Sequence, residues 1–455
     1  MKGRTRLAAL LGFVLAAGCS NESQDLPPDA GVVRAVHAIP DLAVLTMNLD
    51  SNSLGDFDYA GIRGINRPGD GSHEIAFDVK LPGGDPPTRL ETLNVATGLN
   101  RAQTIVLTGT AEQPETVTWD QPARDWAEEV ANSDVEITVL EVSFGHAALG
   151  RGPLDFYLGP SPLDPTASSP VASLSYSDLS AIVEIDAGTQ EIIVTPAGDP
   201  TTVVYESDVL SLPNVTSLLF VAFDGLKLDG DTPWLELRSL GDAFSNVMPN
   251  RLAPAEARAV HSARDSGPFD VVRHSNDETL IGDIAYGEVS PYVVVPTGSN
   301  TIDLKSVDDP DEVVTALTLS ASPGADGTIL ISGEPDVVRM TLILDDNRRI
   351  ATSARLRVIN GAVTFPAVDI YVMEPGTNIN DVSPNVGLLA FPLGTSSLSF
   401  KAGDYDFVLA TSGTRDVAVG PVRLSLQNSG LYTVVATQAE QDDRIELIFL
   451  DDLAE

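Results

Sequence analysis

The chain has 455 residues, with 27 Lys and Arg against 65 Asp and Glu and a formal net charge of −38. That balance disfavours a phosphate-binding surface, which needs clustered cations able to release counterions, so nucleic acid is not expected as a partner. With 43% hydrophobic and only 20% charged residues, the chain is expected to fold, and its length suits about two to four domains.

The first element is an export signal, residues 1–18. Lys2, Arg4 and Arg6 form a basic start, and the apolar run Leu7–Ala17 is too short for the roughly 20 residues that cross a bilayer. Its end, Leu15-Ala16-Ala17-Gly18-Cys19, looks like a bacterial lipobox. That resemblance implies cleavage before Cys19, acylation of its thiol and amino group, and attachment to a membrane; Ser20 in the next position implies transfer to the outer membrane. Cys19 is the chain's one cysteine, so neither an intramolecular disulfide nor a cysteine zinc site is expected. Loss of the three basic signal residues takes the net charge from −38 to −41. Residues 19–31 are polar, contain Pro27-Pro28, and read as a tether.

Beyond the tether one pattern recurs. Arg34-Ala35-Val36-His37 returns as Arg258-Ala259-Val260-His261 and, more loosely, as Arg357-Val358-Ile359-Asn360. A new apolar run starts 12 residues after each arginine, at Thr46, Asp270 and Asp369, with a further copy at Asp155; these markers lie 109, 115 and 99 residues apart. An aromatic also precedes a glycine by 12 positions four times: Tyr59 and Gly71, Tyr176 and Gly188, Tyr286 and Gly298, Phe391 and Gly403. Alternation after each glycine, as in His73–Val79, predicts a half-buried strand, and the glycine itself predicts a turn with positive φ. Later apolar runs, Thr104–Leu107, Leu218–Val221, Thr328–Ile331 and Tyr432–Val435, close each copy, and copies three and four end in the acid pairs Asp345-Asp346 and Asp451-Asp452.

Short strands at this spacing predict an all-β chain of four tandem immunoglobulin-like or transthyretin-like β-sandwiches, over 32–120, 134–242, 256–346 and 354–452. The connectors fall near 121–133, 243–255 and 347–353, the first with a short helix over Pro122–Val130. Such short connectors imply a row of beads with limited flexing.

The runs Val33–Asp41 and Ala257–Asp265 and the element Val368–Val372 resemble the bacterial domain-of-unknown-function family 4397. The resemblance implies exported β-sandwich modules, often in tandem on lipoproteins, with no established enzymatic activity. Copy two departs from it, with Leu140-Glu141-Val142-Ser143 where the Arg-Ala-Val-His motif is expected.

No catalytic constellation emerges, and neither cofactor nor metal is expected. His37 and His261 hold equivalent positions where copy four has Asn360, which points to a side-chain-to-backbone hydrogen bond at a strand end. There is no His-Glu-x-x-His string, nucleophile elbow or phosphate loop. Acid pairs such as Asp308-Asp309 and Asp442-Asp443 read as solvated loops. Asp50–Gly55 and Asp224–Asp231 resemble fragments of a calcium loop but lack its spacing. Trp119 alternates with Val117 and reads as core; Trp126 is the better surface aromatic. The sequence thus describes a non-catalytic binding or structural, adhesin-like lipoprotein of the cell envelope, held to a membrane through Cys19, with envelope polysaccharide or a surface protein as partner. The alternatives are a secreted hydrolase with an acidic loop site and a simple stalk, for which an extended rod is expected.

Overall fold

The computed structural model describes residues 31–66, 71–98, 100–124, 126–226, 234–241, 245–439 and 444–453. The signal 1–18, Cys19 and all of the tether except Gly31 lie outside the described residues.

The first sandwich shows how the local sequence sets the strands. Its eight are β1 (Val32–His37), β2 (Leu45–Leu49), β3 (Asn52–Phe57), β4 (Ile62–Asn66), β5 (Gly71–Val79), β6 (Thr88–Thr97), β7 (Arg101–Gly109) and β8 (Pro114–Pro122). Strands β2 and β3 are joined by Asp50 and Ser51, both at positive φ (46° and 70°), the backbone handedness that matches strand twist in a two-residue hairpin. Gly71 opens β5 at φ 136°. Its counterparts Gly188, Gly298 and Gly403 each open the equivalent strand, at φ 136°, 83° and 156°, as the turn reading requires.

Eight strands divide into two sheets, ordered β4-β1-β7-β8 and β3-β2-β5-β6. Within the first, β1 runs antiparallel to β4 and parallel to β7. An immunoglobulin domain instead groups its first, second, fifth and fourth strands, so this sandwich has its own partition. The third and fourth sandwiches repeat the partition, with Ala255–His261 parallel to Asp326–Glu334 and Ala354–Asn360 parallel to Leu431–Gln438. In the second, Val139–His146 runs parallel to Ser217–Asp224, and that sheet gains a fifth strand, Ser245–Met248, inside the segment expected as a connector. Each sandwich has a core drawn from both its sheets, for example Val33, Ala35 and Ile105 against Met47, Ile75 and Phe77.

Three expectations change. The helix covers Trp126–Asn132 and does not begin at Pro122, because Pro122 is the last residue of β8, opposite Arg101. The counterpart of Arg34–His37 in copy two is Ser143-Phe144-Gly145-His146: His37 lies opposite Leu107 and His146 opposite Ala222 in the parallel ladders. The motif therefore sits three residues later than Leu140–Ser143. Finally, the sandwiches are not beads touching at their ends. Strands β1 and β7 are buried along nearly their whole length, since alternate residues face the sandwich core and the neighbouring sandwich. Val36, Val106 and Trp119 of the first pack on Leu219, Val221, Phe223 and Leu240 of the second. Val260 and Leu330 of the third pack on Ile359 and Val435 of the fourth.

Candidate functional site

The repeat singles out the histidines. His37 Nε2 lies 3.1 Å from the Ala43 carbonyl, and its Nδ1 accepts from Ile39 N at 3.3 Å. His146 repeats this with Gly152 O and Ala148 N, and His261 with Gly267 O and Ala263 N, all within 3.0–3.3 Å. Asn360 does the same with an amide, donating to Phe365 O at 3.0 Å and accepting from Ala362 N at 3.2 Å. All four side chains are fully buried, so each ties a strand end to the loop that follows. The expected backbone hydrogen bond is present, and His146 belongs to the set although its repeat lacks the Arg-Ala-Val-His motif.

Edge-on to each histidine stands the aromatic marker of its repeat: Tyr59, Tyr176 and Tyr286 have ring centroids 6.0–6.3 Å from His37, His146 and His261. Their hydroxyls leave the sandwich and bond the neighbour. Tyr59 donates to Asp224 O at 2.8 Å, Tyr176 accepts from Gly109 N at 2.9 Å, and Tyr286 donates to Gln438 O. Phe391, the fourth marker, has no hydroxyl, and the Ser332 hydroxyl at the matching place across the seam is buried without a partner. Trp119 is buried as expected, but between sandwiches, with Nε1 donating to Ser177 O at 2.8 Å. Trp126 is half-buried, its ring covered by Arg124 at 4.0 Å and its nitrogen bonded to Ser217 at 3.0 Å, so it fastens the short helix to the second sandwich.

A dense polar cluster lies on the seam between the third and fourth sandwiches. Arg258 Nη1 donates to Asp452 Oδ1 at 2.6 Å, and Arg357 Nη1 donates to Asp345 Oδ1. Each ion pair joins the two sandwiches, and both arginines are buried. Thr328 and Thr433 donate to Asp345 and Asp452 at 2.8 and 2.6 Å. Tyr292 adds its hydroxyl to Asp345 at 2.5 Å, and burial first, with Asp345 next, pushes its phenol well above the ordinary tyrosine range. Asp345 and Asp452, at the ends of copies three and four, are thus half of a buried network, a geometry in which guanidinium and carboxylate offset their own desolvation only through such added bonds.

The remaining candidates are not brought together. Asp50 occupies the β2–β3 hairpin, where its carboxylate accepts from Glu74 N at 2.9 Å and meets His73 at 2.6 Å. Asp224 lies on the first seam, its Oδ2 accepting from Gly150 N at 2.7 Å; Asp229, Gly230 and Asp231 are outside the described residues, as are Asp442, Asp443 and Cys19. The Asp308–Glu312 segment is a surface turn closed by Glu312 N to Asp309 O at 3.0 Å.

Residues 255–371 match the family model described as Domain of unknown function (DUF4397). The chain carries a DUF4397-like module. That span holds the third sandwich, the first strand of the fourth and most of its second, so the DUF4397-like match includes both His261 and its counterpart Asn360. Among solved structures, the chain is similar to the CBMbc domain (family CBM26) from Eubacterium rectale Amy13K, solved in complex with maltoheptaose, at 11% identity and a TM-score of 0.14, covering 42% of this chain and 91% of that one. No curated protein matches the chain.

Proposed function

We propose that the protein is an exported lipoprotein of the cell envelope, acylated at Cys19 and held to the outer membrane, whose packed β-sandwiches bind or brace envelope components without catalysing a reaction. The observation that carries this reading is the string Leu15–Cys19, which ends in the chain's single cysteine and precedes an all-β body by one short polar segment. Support for a non-catalytic role comes from how the reactive residue types are used. His37, His146 and His261 bond their own loops, and the seam carboxylates Asp345 and Asp452 are neutralised by Arg357 and Arg258. The acidic surface keeps a crowded, exposed body hydrated and resists pairing of strand edges. The partner is an envelope polysaccharide or a surface protein.

Cys19→Ala tests the anchor. The variant is expected to lose both labelled palmitate and its place in the membrane fraction; retention of both overturns the proposal.

A further inference from the structure

One sheet edge carries an added strand in the second sandwich and stands open at the same place in the fourth. Leu237 and Leu447 are counterparts: they lie beside Ala222 and Ala436, which pair in turn with His146 and Asn360. In the second sandwich the outer edge of Leu235–Leu240 is paired by Ser245–Met248, with Leu237 opposite Met248. Met248 packs on the core, and its carbonyl accepts from the Tyr205 hydroxyl at 3.2 Å. In the fourth sandwich Ile445–Asp451 is the last strand of its sheet, and among the described residues no strand pairs with its outer edge. Its two ends fix which backbone groups face outward. Asp452 N donates to Leu431 O, and Arg444 O accepts from Ala439 N, so by alternation the N–H and C=O groups of Ile445, Leu447, Phe449 and Asp451 point out of the sheet. Phe449 is 42% exposed although its ring lies 6.3 Å from that of Phe407 in the core. The matching edges of the other two sandwiches are better closed. Pro114–Pro122 has at each end a proline, which cannot donate to an added strand, and in Val337–Leu344 the inward residues Val338 and Met340 are buried.

We infer that the Ile445–Asp451 edge takes up an extended segment of a partner protein as an added antiparallel strand, with apolar side chains on Leu447 and Phe449 and a cation at each end, on Glu446 and Asp451. Main-chain bonds to the outward residues hold such a strand, and the side chains set its register. Glu446 and Asp451 are both exposed. Residues directly opposite share a face, so the segment reads cation, any, apolar, any, apolar, cation. A second copy of the chain fits badly. Paired antiparallel about the strand's centre, Glu446 of each copy would stand against Asp451 of the other, acid opposite acid, between chains that each carry −38. The inference rests on the binding role proposed above and narrows its partner to a protein; it does not depend on membrane attachment.

Saturation-transfer NMR on the purified chain tests it with the capped hexapeptide Lys-Thr-Val-Thr-Val-Lys, whose lysines fall opposite Asp451 and Glu446 and whose valines fall opposite Phe449 and Leu447. Saturable binding is expected with Kd on the order of 0.1–1 mM, because ordering a short peptide consumes much of its contact energy. Replacing both lysines by glutamate should weaken binding at least about fivefold, and the double variant Glu446→Lys/Asp451→Lys should reverse that preference. N-methylation of the two valines, whose N–H groups would bond the edge, should abolish binding, whereas N-methylation of the two threonines should leave it. Phe449→Pro removes an outward donor, a change that an edge strand tolerates, and should also abolish it. Hydrogen exchange needs no variant: the peptide should slow it in Ile445–Asp451 and leave Val337–Leu344 unchanged. The inference is overturned if protection appears only in other strands, if the double variant keeps the parent's preference, or if both methylated peptides bind as the parent peptide does. It is equally overturned if the chain dimerises and Phe449→Pro makes it monomeric, which would seat a second copy on the edge. None of these results touches polysaccharide binding or Cys19, so failure here is distinct from failure of the broader reading.

Discussion

At the scale of single residues, the buried histidines make stability depend on acid. Burial, and after it the Arg348 charge, lowers the His37 pKa from 6.5 to about 4; burial also lowers His146 and His261. The unfolded chain therefore takes up protons that the folded chain refuses. Stability is complete above about pH 6.5 and falls as the pH drops towards 4, by about 3 kcal/mol for His37 once the pH is below its folded value. The carboxylates held low in the folded state, among them Asp346 and Asp369, lose their contribution only below their ordinary range. Asn360 shows which replacement the site tolerates. His37→Asn should keep both backbone bonds and flatten the unfolding midpoint between pH 6.5 and 4; a profile as steep as the parent's would contradict this. The need for a polar strand-end residue was legible in the His, His, Asn series. The tyrosine contacts were not, because each hydroxyl reaches another sandwich.

Among elements, the strands at the centre of each seam decide how the sandwiches associate. A strand with one wet face alternates, and His73–Val79 begins that way; β7 does not alternate, since Ile105 and Leu107 face the core while Val106 faces the second sandwich. Runs such as Leu218–Val221 carried this signal in the sequence, because unbroken apolar strands are buried on both faces. Trp119 is the largest side chain on the first seam, and its ring lies where a Cβ on Gly145 would be, 2.4 Å from the nearest ring atom. Trp119→Ala should cost about 3–5 kcal/mol. Hydrogen exchange should quicken in Val139–His146 and Ser217–Asp224 of the neighbouring sandwich, with the third sandwich unchanged. A loss confined to residues 32–122 would mean that the seam contributes nothing.

For the whole molecule, two paired sandwiches are drawn together by the segment between the third and fourth. Arg348, buried, donates to Asp58 and to the Leu42 carbonyl of the first sandwich, its guanidinium 5.6 Å from the Tyr59 ring centre, and Ala351 N donates to Asp41 O at 2.8 Å. Lys401 pairs with Asp85 at 2.6 Å, a further link from the fourth sandwich to the first. A rod is the wrong picture. Small-angle scattering should give a radius of gyration near the ~22 Å of a compact chain of this length, and Arg348→Ala should raise it as the pairs separate; no change would show that other contacts suffice.

What depends on near neighbours along the chain can be read from the residues in order. Strand periodicity, the positive-φ glycines, the fourfold spacing and the polar strand-end residue are local, and each is found where the residues place it. Copy two misled because its motif lacks arginine, and only the parallel ladder of His146 with Ala222 sets its register. Tertiary structure alone decided which strand faces meet. It placed Asp345 and Asp452 against arginines 12 and 194 residues away. The reason is physical: a side chain's preference for burial is written in its chemistry, but the surface that buries it is supplied by residues remote in the chain.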